Sequence, residues 1–378
     1  MYKVTQNVSF INRIVCAKWI CYNVNTVNVF GRERRGMRPK QITIKDVARE
    51  AGVSVATVSR ALNGLGGMSG ETREYVLEVC ERMAYVPNTL ARGLVMQHTQ
   101  TIGIIMPDIT SPFYSKLMVL AAREAKLLGY QVLFCNSFRN YEMEMDYFKL
   151  LIGNQVEGIL FFPVGEESAK NLYHFLRYVP IVALNQMPER NPIPYVCTDE
   201  AKCGEIAANY MIDCGFKSLL FIGYEGMRLS HRQRISGFCQ AVKRAGVQGE
   251  IFETEDRYKS SFERGYYQFS SFLNQKRELP EAVIAASDAT ANGVIKACME
   301  RNIKIPEELS LIGFDNINVD LPTIELTTVS ISHSLHVKRA LELLIKMRSG
   351  TSLKTGEKHV FLQPELVERK SCQKKIGA

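Results

Sequence analysis

From Thr101 onward, short apolar runs alternate with longer amphipathic stretches. TIGIIM, QVLFC, VEGILFF and PIVALN are each a few residues long with no regular polar alternation. That is the pattern of strands buried on both faces of a parallel sheet. Between the runs the period becomes helical, as over 113–129, where Leu117, Leu120, Ala121, Ala125 and Leu128 share one face. A second series follows: SLLFIG, a helix over 230–245, EAVIAAS, a helix over 289–302, and LSLIGFD. Two series of this kind predict an α/β chain with two doubly wound lobes. A small-molecule site is expected in the cleft between them, near the carboxyl ends of the strands.

Residues 43–94 follow another pattern. Thr43 can cap a short helix, with Asp46 in capping-box position and Val47, Ala48 and Ala51 as its apolar face. Gly52 suits a tight turn because it reaches positive φ without a Cβ clash. Ser54 then caps a second helix, with Val58, Ala61 and Leu62 on its inner side and Val55, Ala56, Thr57, Ser59, Arg60 and Asn63 on its outer side. This is a helix-turn-helix, whose second helix fits the DNA major groove. A third helix begins at Ser69 and carries Val76, Val79, Cys80 and Met83. Tyr85–Leu94 could form only a marginal helix, being short and carrying Gly93.

The stretch resembles the headpiece of the lactose-repressor (LacI/GalR) family of bacterial transcription regulators. The resemblance rests on Thr43, Asp46-Val47-Ala48, Ala51-Gly52-Val53-Ser54, Thr57-Val58-Ser59-Arg60, Asn63, Ser69, Thr72-Arg73, Tyr85, Pro87-Asn88, Ala91 and Leu94. It continues through the sensor region in PDITSPFYSKL (107–117), Arg234-x-x-Gly-Phe238, Ser287-Asp288 with Ala291-x-Gly293, and Gly313-Phe314-Asp315-Asn316 with LTTV (326–329). It implies a homodimer on a palindromic DNA operator, a repressor role, and a small effector, a sugar or sugar derivative, held by a periplasmic-binding-protein-like fold. The DNA contacts implied are Thr43, Ser54, Val55, Ala56, Thr57, Ser59, Arg60, Asn63, Ser69 and Thr72, with Asn88, Ala91 and Leu94 in a hinge helix. Leu94 falls where the family places an apolar wedge between base steps. The effector contacts implied are Phe113, Asn185, Arg234, Tyr258, Ser287 and Asp315. Their chemistry suits a polyol: Asp315 accepts from hydroxyls, Arg234 offers a fork of donors, and the aromatic rings pack against an apolar face. Three departures argue against carrying over any particular sugar and permit a less polar effector or a glycoside with an apolar aglycone: Ser287 for the usual asparagine, Ile331-Ser332 for a Gln-Pro or Gln-Asp pair, and Phe162 where some sugar-binding members have a polar residue.

The expected organisation is a disordered extension over 1–38, a DNA-binding headpiece over 39–86, and a hinge and linker over 87–98. A two-lobed effector and dimerisation domain then spans 99–371, one lobe formed by 99–197 with 331–357 and the other by 198–330 with 358–371. Residues 372–378 are left as a tail. Met37 begins MRPKQITIKDVA, the usual start of such a headpiece, so residues 1–36 are expected to be upstream sequence, with a disordered basic arm as the alternative.

The net charge of +8 is unevenly placed: residues 1–98 carry a surplus of +7, where a phosphate-binding footprint belongs. Part of that surplus sits in the leader, at Arg32, Arg34, Arg35, Arg38 and Lys40. No apolar run approaches the ~18–20 residues of a membrane span, and no clean secretory signal opens the chain. The ten cysteines form no CxxC pair and mostly lie in apolar segments, which fits buried reduced thiols in a cytoplasmic protein. His333 and His336 have the spacing of a metal pair, but without a nearby carboxylate or cysteine they read as a solvated helix terminus. The glycines between 64 and 70 lack the Lys-Ser/Thr of a phosphate loop, and no catalytic constellation stands out. An enzyme such as a sugar kinase would need both, and a stand-alone solute-binding protein would need an export signal and no headpiece. No cofactor or metal is expected.

Overall fold

The computed structural model describes residues 42–86, 98–163, 165, 167–168, 172–187, 191–223, 229–253, 260–275, 277–317, 324–330 and 332–375. The chain divides into two compact units, Met1–Val95 and Met96–Ala378. The expectations for residues 1–38, for Asn88, Ala91 and Leu94, and for Tyr258 fall outside the described residues.

In the first unit three helices, α1 (Ile44–Glu50), α2 (Val55–Asn63) and α3 (Gly70–Arg82), enclose a small core of Val47, Ala48, Ala51, Val58, Ala61, Val76, Val79 and Cys80. Each begins at a side-chain device. The Asp46 carboxylate accepts from Thr43 N (3.0 Å) and Thr43 Oγ1 (2.7 Å). Ser54 accepts from Thr57 N (3.1 Å), and Ser69 from Thr72 N (3.2 Å). These bonds satisfy donors that a helix start leaves without partners. Gly52, at φ +64°, turns the chain between α1 and α2.

The second unit opens with β1 (Thr101–Met106), α4 (Pro112–Leu127), β2 (Gln131–Asn136), α5 (Tyr141–Gly153), β3 (Gly158–Phe161), β4 (Ile181–Ala183) and β5 (Tyr195–Thr198). Next come α6 (Glu200–Asp213), β6 (Ser218–Ile222), α7 (Leu229–Ala245), β7 (Gln248–Phe252), α8 (Ser261–Asn274), β8 (Ala282–Ala285), α9 (Asp288–Met299), β9 (Ser310–Phe314) and β10 (Thr327–Ser330). The chain closes with α10 (His333–Arg348), β11 (His359–Leu362) and β12 (Glu365–Val367). The first sheet has the order β11-β5-β4-β3-β1-β2, and the second β12-β10-β9-β8-β6-β7. Every pairing is parallel except β10 with β12. Each sheet carries a core on both faces, as doubly wound lobes require. In the first sheet, Ile102, Ile104, Leu160 and Val182 face α4 and α10, while Ile105, Ile159, Phe161 and Ile181 face the α5 side.

β2 departs from the doubly buried pattern. It is an edge strand, and Leu133 and Phe134 are exposed. The boundary at 358 also needs correction, because β11 joins the first lobe. His359–Leu362 pair in parallel with Tyr195–Thr198, and the His359 ring stacks on Tyr195 at 4.3 Å. Pro364 has no N–H to continue a ladder. It divides HVFLQPELV into two strands, and only the second, β12, returns to the second sheet. Residues 372–375, expected as a tail, dock on the second lobe: Cys372 Sγ donates to Leu311 O (3.1 Å) and Lys375 N to Cys214 O (2.9 Å).

Two glycines set the geometry of the second lobe. A Cβ on Gly237 would stand 1.9 Å from the Ala201 carbonyl oxygen, and one on Gly204 1.9 Å from that of Arg234. Only glycine lets α6 and α7 cross backbone against backbone, and this crossing brings Arg234 beside Glu200. Among the described residues, no helix is long and apolar enough to cross a membrane.

Candidate DNA-reading surface and effector cleft

In the first unit α2 buries Val58 and Ala61 and exposes Ser54, Val55, Ala56 and Arg60, with Thr57, Ser59 and Asn63 half-buried. Of the six residues expected on the outer face, Val55, Ala56 and Arg60 are exposed and the other three are half-buried. Part of its polar capacity is spent within the helix. Thr57 Oγ1 lies 2.9 Å from Ser54 Oγ, and Asn63 Nδ2 donates to Ser59 O at 2.8 Å. Thr43, Ser69 and Thr72 lie at helix N-termini, where backbone N–H groups favour phosphate.

In the second unit a cleft enclosing about 870 Å³ of open space, some of it continuous with solvent, lies at the carboxyl ends of both sheets. Five of the six candidate effector residues line it: Phe113, Asn185, Arg234, Ser287 and Asp315. Phe113, Asn185, Ser287 and Asp315 lie just beyond a strand or at a helix start, and Arg234 lies in the second turn of α7, so the two lobes aim them at one space.

Arg234 is buried and organises the second-lobe wall. Its Nε donates to Glu200 Oε2 (2.6 Å), Nη1 to Ala286 O (2.8 Å) and Nη2 to Asp315 Oδ1 (3.0 Å), and the guanidinium lies 4.7 Å from the Phe314 ring centroid. Burial opposes its charge, but Glu200 and Asp315 more than offset that and raise its pKa. Burial pushes Glu200 upward. Asp315 sits at φ +97°, a left-handed conformation that costs of order 1–3 kcal/mol in a residue with a Cβ. Its N–H bond to Val329 O (3.0 Å) helps hold it there. The remaining candidates also make local bonds. Ser287 caps α9 by accepting from Thr290 N (3.2 Å), and Asn185 Oδ1 accepts from Gln186 N (2.9 Å).

Asp288 lies behind this wall. Its Oδ1 accepts from Thr328 Oγ1 (2.8 Å) and its Oδ2 from Ile317 N (2.8 Å). A Cβ on Gly313 would come within 2.3 Å of it. Burial, reinforced by the charge of Asp315, pushes its carboxyl up to about 8. The folded protein therefore holds a proton there that the unfolded chain releases near pH 4, and this contribution to stability is lost as pH rises from about 4 to 8. Urea unfolding at pH 6 and pH 9 is expected to show a larger loss in the wild type than in Asp288→Asn, whose amide mimics the protonated acid. Equal losses would place the titration elsewhere.

The first-lobe wall is aromatic. Phe113, Tyr114 and Phe162 form edge-to-face pairs with centroids 5.1–6.0 Å apart. His333 and His336 correct the sequence expectation: both are buried rather than solvated. His333 packs 5.5 Å from the Phe113 ring, and His336 Nε2 lies 2.8 Å from Val196 O. Burial pushes both imidazoles down to about 4. No group of three metal-ligating side chains occurs among the described residues. Sequence reasoning missed Glu200, Thr198 and His336 as lining residues. The available signal was TDE at 198–200, where polar residues follow a short apolar run. Among the described residues, two hydrogen bonds cross between the lobes: Lys116 Nζ to Asn316 O (2.9 Å) and Gln233 Nε2 to Gln186 Oε1 (2.9 Å).

A helix-turn-helix with an exposed recognition face, on one chain with a two-lobed cleft, defines a DNA-binding regulator carrying a ligand-binding domain. The comparisons specify which kind. Residues 43–88 match the family described as bacterial regulatory proteins, lacI family, and residues 208–372 match the periplasmic binding protein-like domain. The chain is 34% identical over 335 residues to the HTH-type transcriptional regulator DegA of Bacillus subtilis (strain 168), covering 87% of this chain and 97% of that protein. It is 35% identical over 281 residues to Catabolite control protein A of Priestia megaterium, covering 73% and 82%. The fold is similar to that of the Lac repressor dimer bound to operator and the anti-inducer ONPF, with a TM-score of 0.77, 23% identity and coverage of 88% and 100%. The chain belongs to the LacI family. It is a DNA-binding transcription regulator and not an enzyme.

Proposed function

We propose that this chain is a cytoplasmic, homodimeric repressor that binds a palindromic operator and changes its grip on DNA when a small hydroxylated effector, a sugar or sugar derivative, enters the cleft. The observation that carries the effector reading is the cleft itself. An aromatic wall with Phe113 and Phe162 belongs to one lobe, and a polar wall with Arg234, Asp315 and Glu200 belongs to the other. Arg234 is flanked by two carboxylates, which disfavours an anionic ligand and suits neutral hydroxyls. Phe113, Asn185, Arg234, Ser287 and Asp315, with Tyr258, are its effector contacts. Ser54, Val55, Ala56, Thr57, Ser59, Arg60 and Asn63 contact DNA from α2. Thr43, Ser69 and Thr72 contact phosphates, and Asn88, Ala91 and Leu94 lie at the operator centre. Exposed Val119 and Leu127 on α4, with Leu133 and Phe134 on the adjacent β2, support a dimer, since apolar side chains on one edge mark association surfaces. Effector binding shifts DNA affinity because a ligand touching both lobes favours one lobe arrangement over the other.

The test begins with selection from a random duplex library, which is expected to return a two-fold-symmetric sequence. Operator titrations are then run with a panel of neutral sugars. Asp315→Asn keeps the Arg234–Glu200 pair but removes the charged acceptor. It is expected to raise the effector concentration needed roughly five- to 150-fold, with effector-free operator affinity unchanged. An unchanged response would mean that Asp315 serves only the fold.

A further inference from the structure

Of the buried polar groups left without a hydrogen-bond partner among the described residues, two belong to residues that line the cleft. Thr198 Oγ1 and His336 Nδ1 are buried and have no hydrogen-bond partner among the described residues, although both residues line the cleft and are only 2% and 4% exposed. They come from different elements. Thr198 ends β5, and His336 lies in the first turn of α10. Val196 and Thr198 are two apart on one strand and so point to the same face. Val196 packs in the core that α10 covers, so Thr198 lies on the α10 side of the sheet, where His336 Nε2 meets the Val196 carbonyl at 2.8 Å.

The chemistry of each group follows from its anchor. A carbonyl oxygen only accepts, so His336 Nε2 carries the proton and Nδ1 is left as a bare lone pair. Nδ1 can therefore accept a hydrogen bond but not give one. Thr198 brings a hydroxyl that can do both. We propose that His336 and Thr198 are specificity residues of the cleft: a hydroxyl of the effector donates to His336 Nδ1, and the effector accepts from Thr198 Oγ1. This rests on the effector reading above and sharpens it. The first lobe then supplies discrimination as well as an apolar surface, and analogues lacking that hydroxyl are rejected because they leave the buried His336 acceptor unpaired.

The test uses the full chain with D-ribose, D-xylulose, D-glucose and cellobiose as probes, followed by calorimetric titration, and 15N-histidine-labelled protein for NMR. His336→Leu identifies the resonance and removes the acceptor, His336→Asn restores an acceptor, and Thr198→Val deletes one hydroxyl at nearly constant volume. A probe that binds the wild type is expected to move the His336 Nδ1 resonance. It is expected to weaken roughly five- to 150-fold in Thr198→Val and His336→Leu, and less in His336→Asn. If His336→Leu fails to fold, Thr198→Val and the Nδ1 shift decide the matter. A probe that binds all variants equally and leaves Nδ1 unmoved overturns this assignment while the effector cleft stands. Failure of every probe to bind the wild type overturns the sugar reading and this assignment with it.

Discussion

Arg234→Met is expected to destabilise the protein by about 3–5 kcal/mol at neutral pH, because it leaves Glu200 and Asp315 facing each other without their shared cation. For a domain of this size that corresponds to a fall of roughly 10 °C in the unfolding midpoint. The pH dependence identifies the cause. Without the guanidinium, little offsets the burial that raises Glu200, so the folded variant takes up a proton there that the unfolded chain does not. The penalty should therefore shrink as pH falls from 8 towards 5. Adding Glu200→Gln to Arg234→Met should recover part of the loss by removing one of the stranded charges. A penalty that stayed constant with pH would assign the effect to packing against Phe314 instead.

Operator recognition should divide sharply between two parts of α2. Exchanging Val55 and Ala56 together is expected to change which sequence is recovered from a random duplex library, since both are exposed at the start of the recognition helix and act through methyl contact and excluded bulk. Arg60→Ala is expected to weaken operator binding by about 1–3 kcal/mol per half-site if the guanidinium grips a guanine. It would instead lower affinity almost uniformly across sequences, with a smaller salt dependence, if it sits on a phosphate. Selection followed by titration at two salt concentrations separates these outcomes. A Val55/Ala56 variant that recovers the wild-type sequence would place base reading on another element.

The helix-turn-helix was legible because its determinants are local. Ser54 caps the helix three residues ahead of Thr57, Gly52 turns the chain, and Val47, Val58 and Ala61 fall on one helical period. The sheets were legible wherever strands were continuous apolar runs. What escaped depends on distant partners. Arg234 and Asp315 were both read as cleft residues, but not the network that joins them to Glu200: Glu200 and Asp315 lie 34 and 81 residues from Arg234, and only the close crossing at Gly204 and Gly237 brings Glu200 into its reach. His336 read as solvated because an exposed helix start and one packed under β5 look alike in sequence. β11 and β12 read as one segment because Pro364 interrupts a run too short to divide by pattern alone.

The threading of β11 also sets the order in which the molecule can be completed during synthesis. The first lobe begins at Thr101, yet α10, which supplies Val337, Ala340, Leu341 and Leu344 to its core, and its outer strand β11 are not made until residue 362. Between Thr198 and Leu362 lie roughly 160 residues, on the order of 10–30 s of translation at ~5–20 residues per second. Throughout that interval Ile102, Ile104, Leu160 and Val182 lack half of their cover. The second lobe is also unfinished until β12 follows three residues after β11. Both lobes are thus closed by one stretch of chain, residues 333–367. A nascent chain stalled before α10 presents an uncovered sheet face to the cell's chaperones and proteases, whatever the stability of the finished protein.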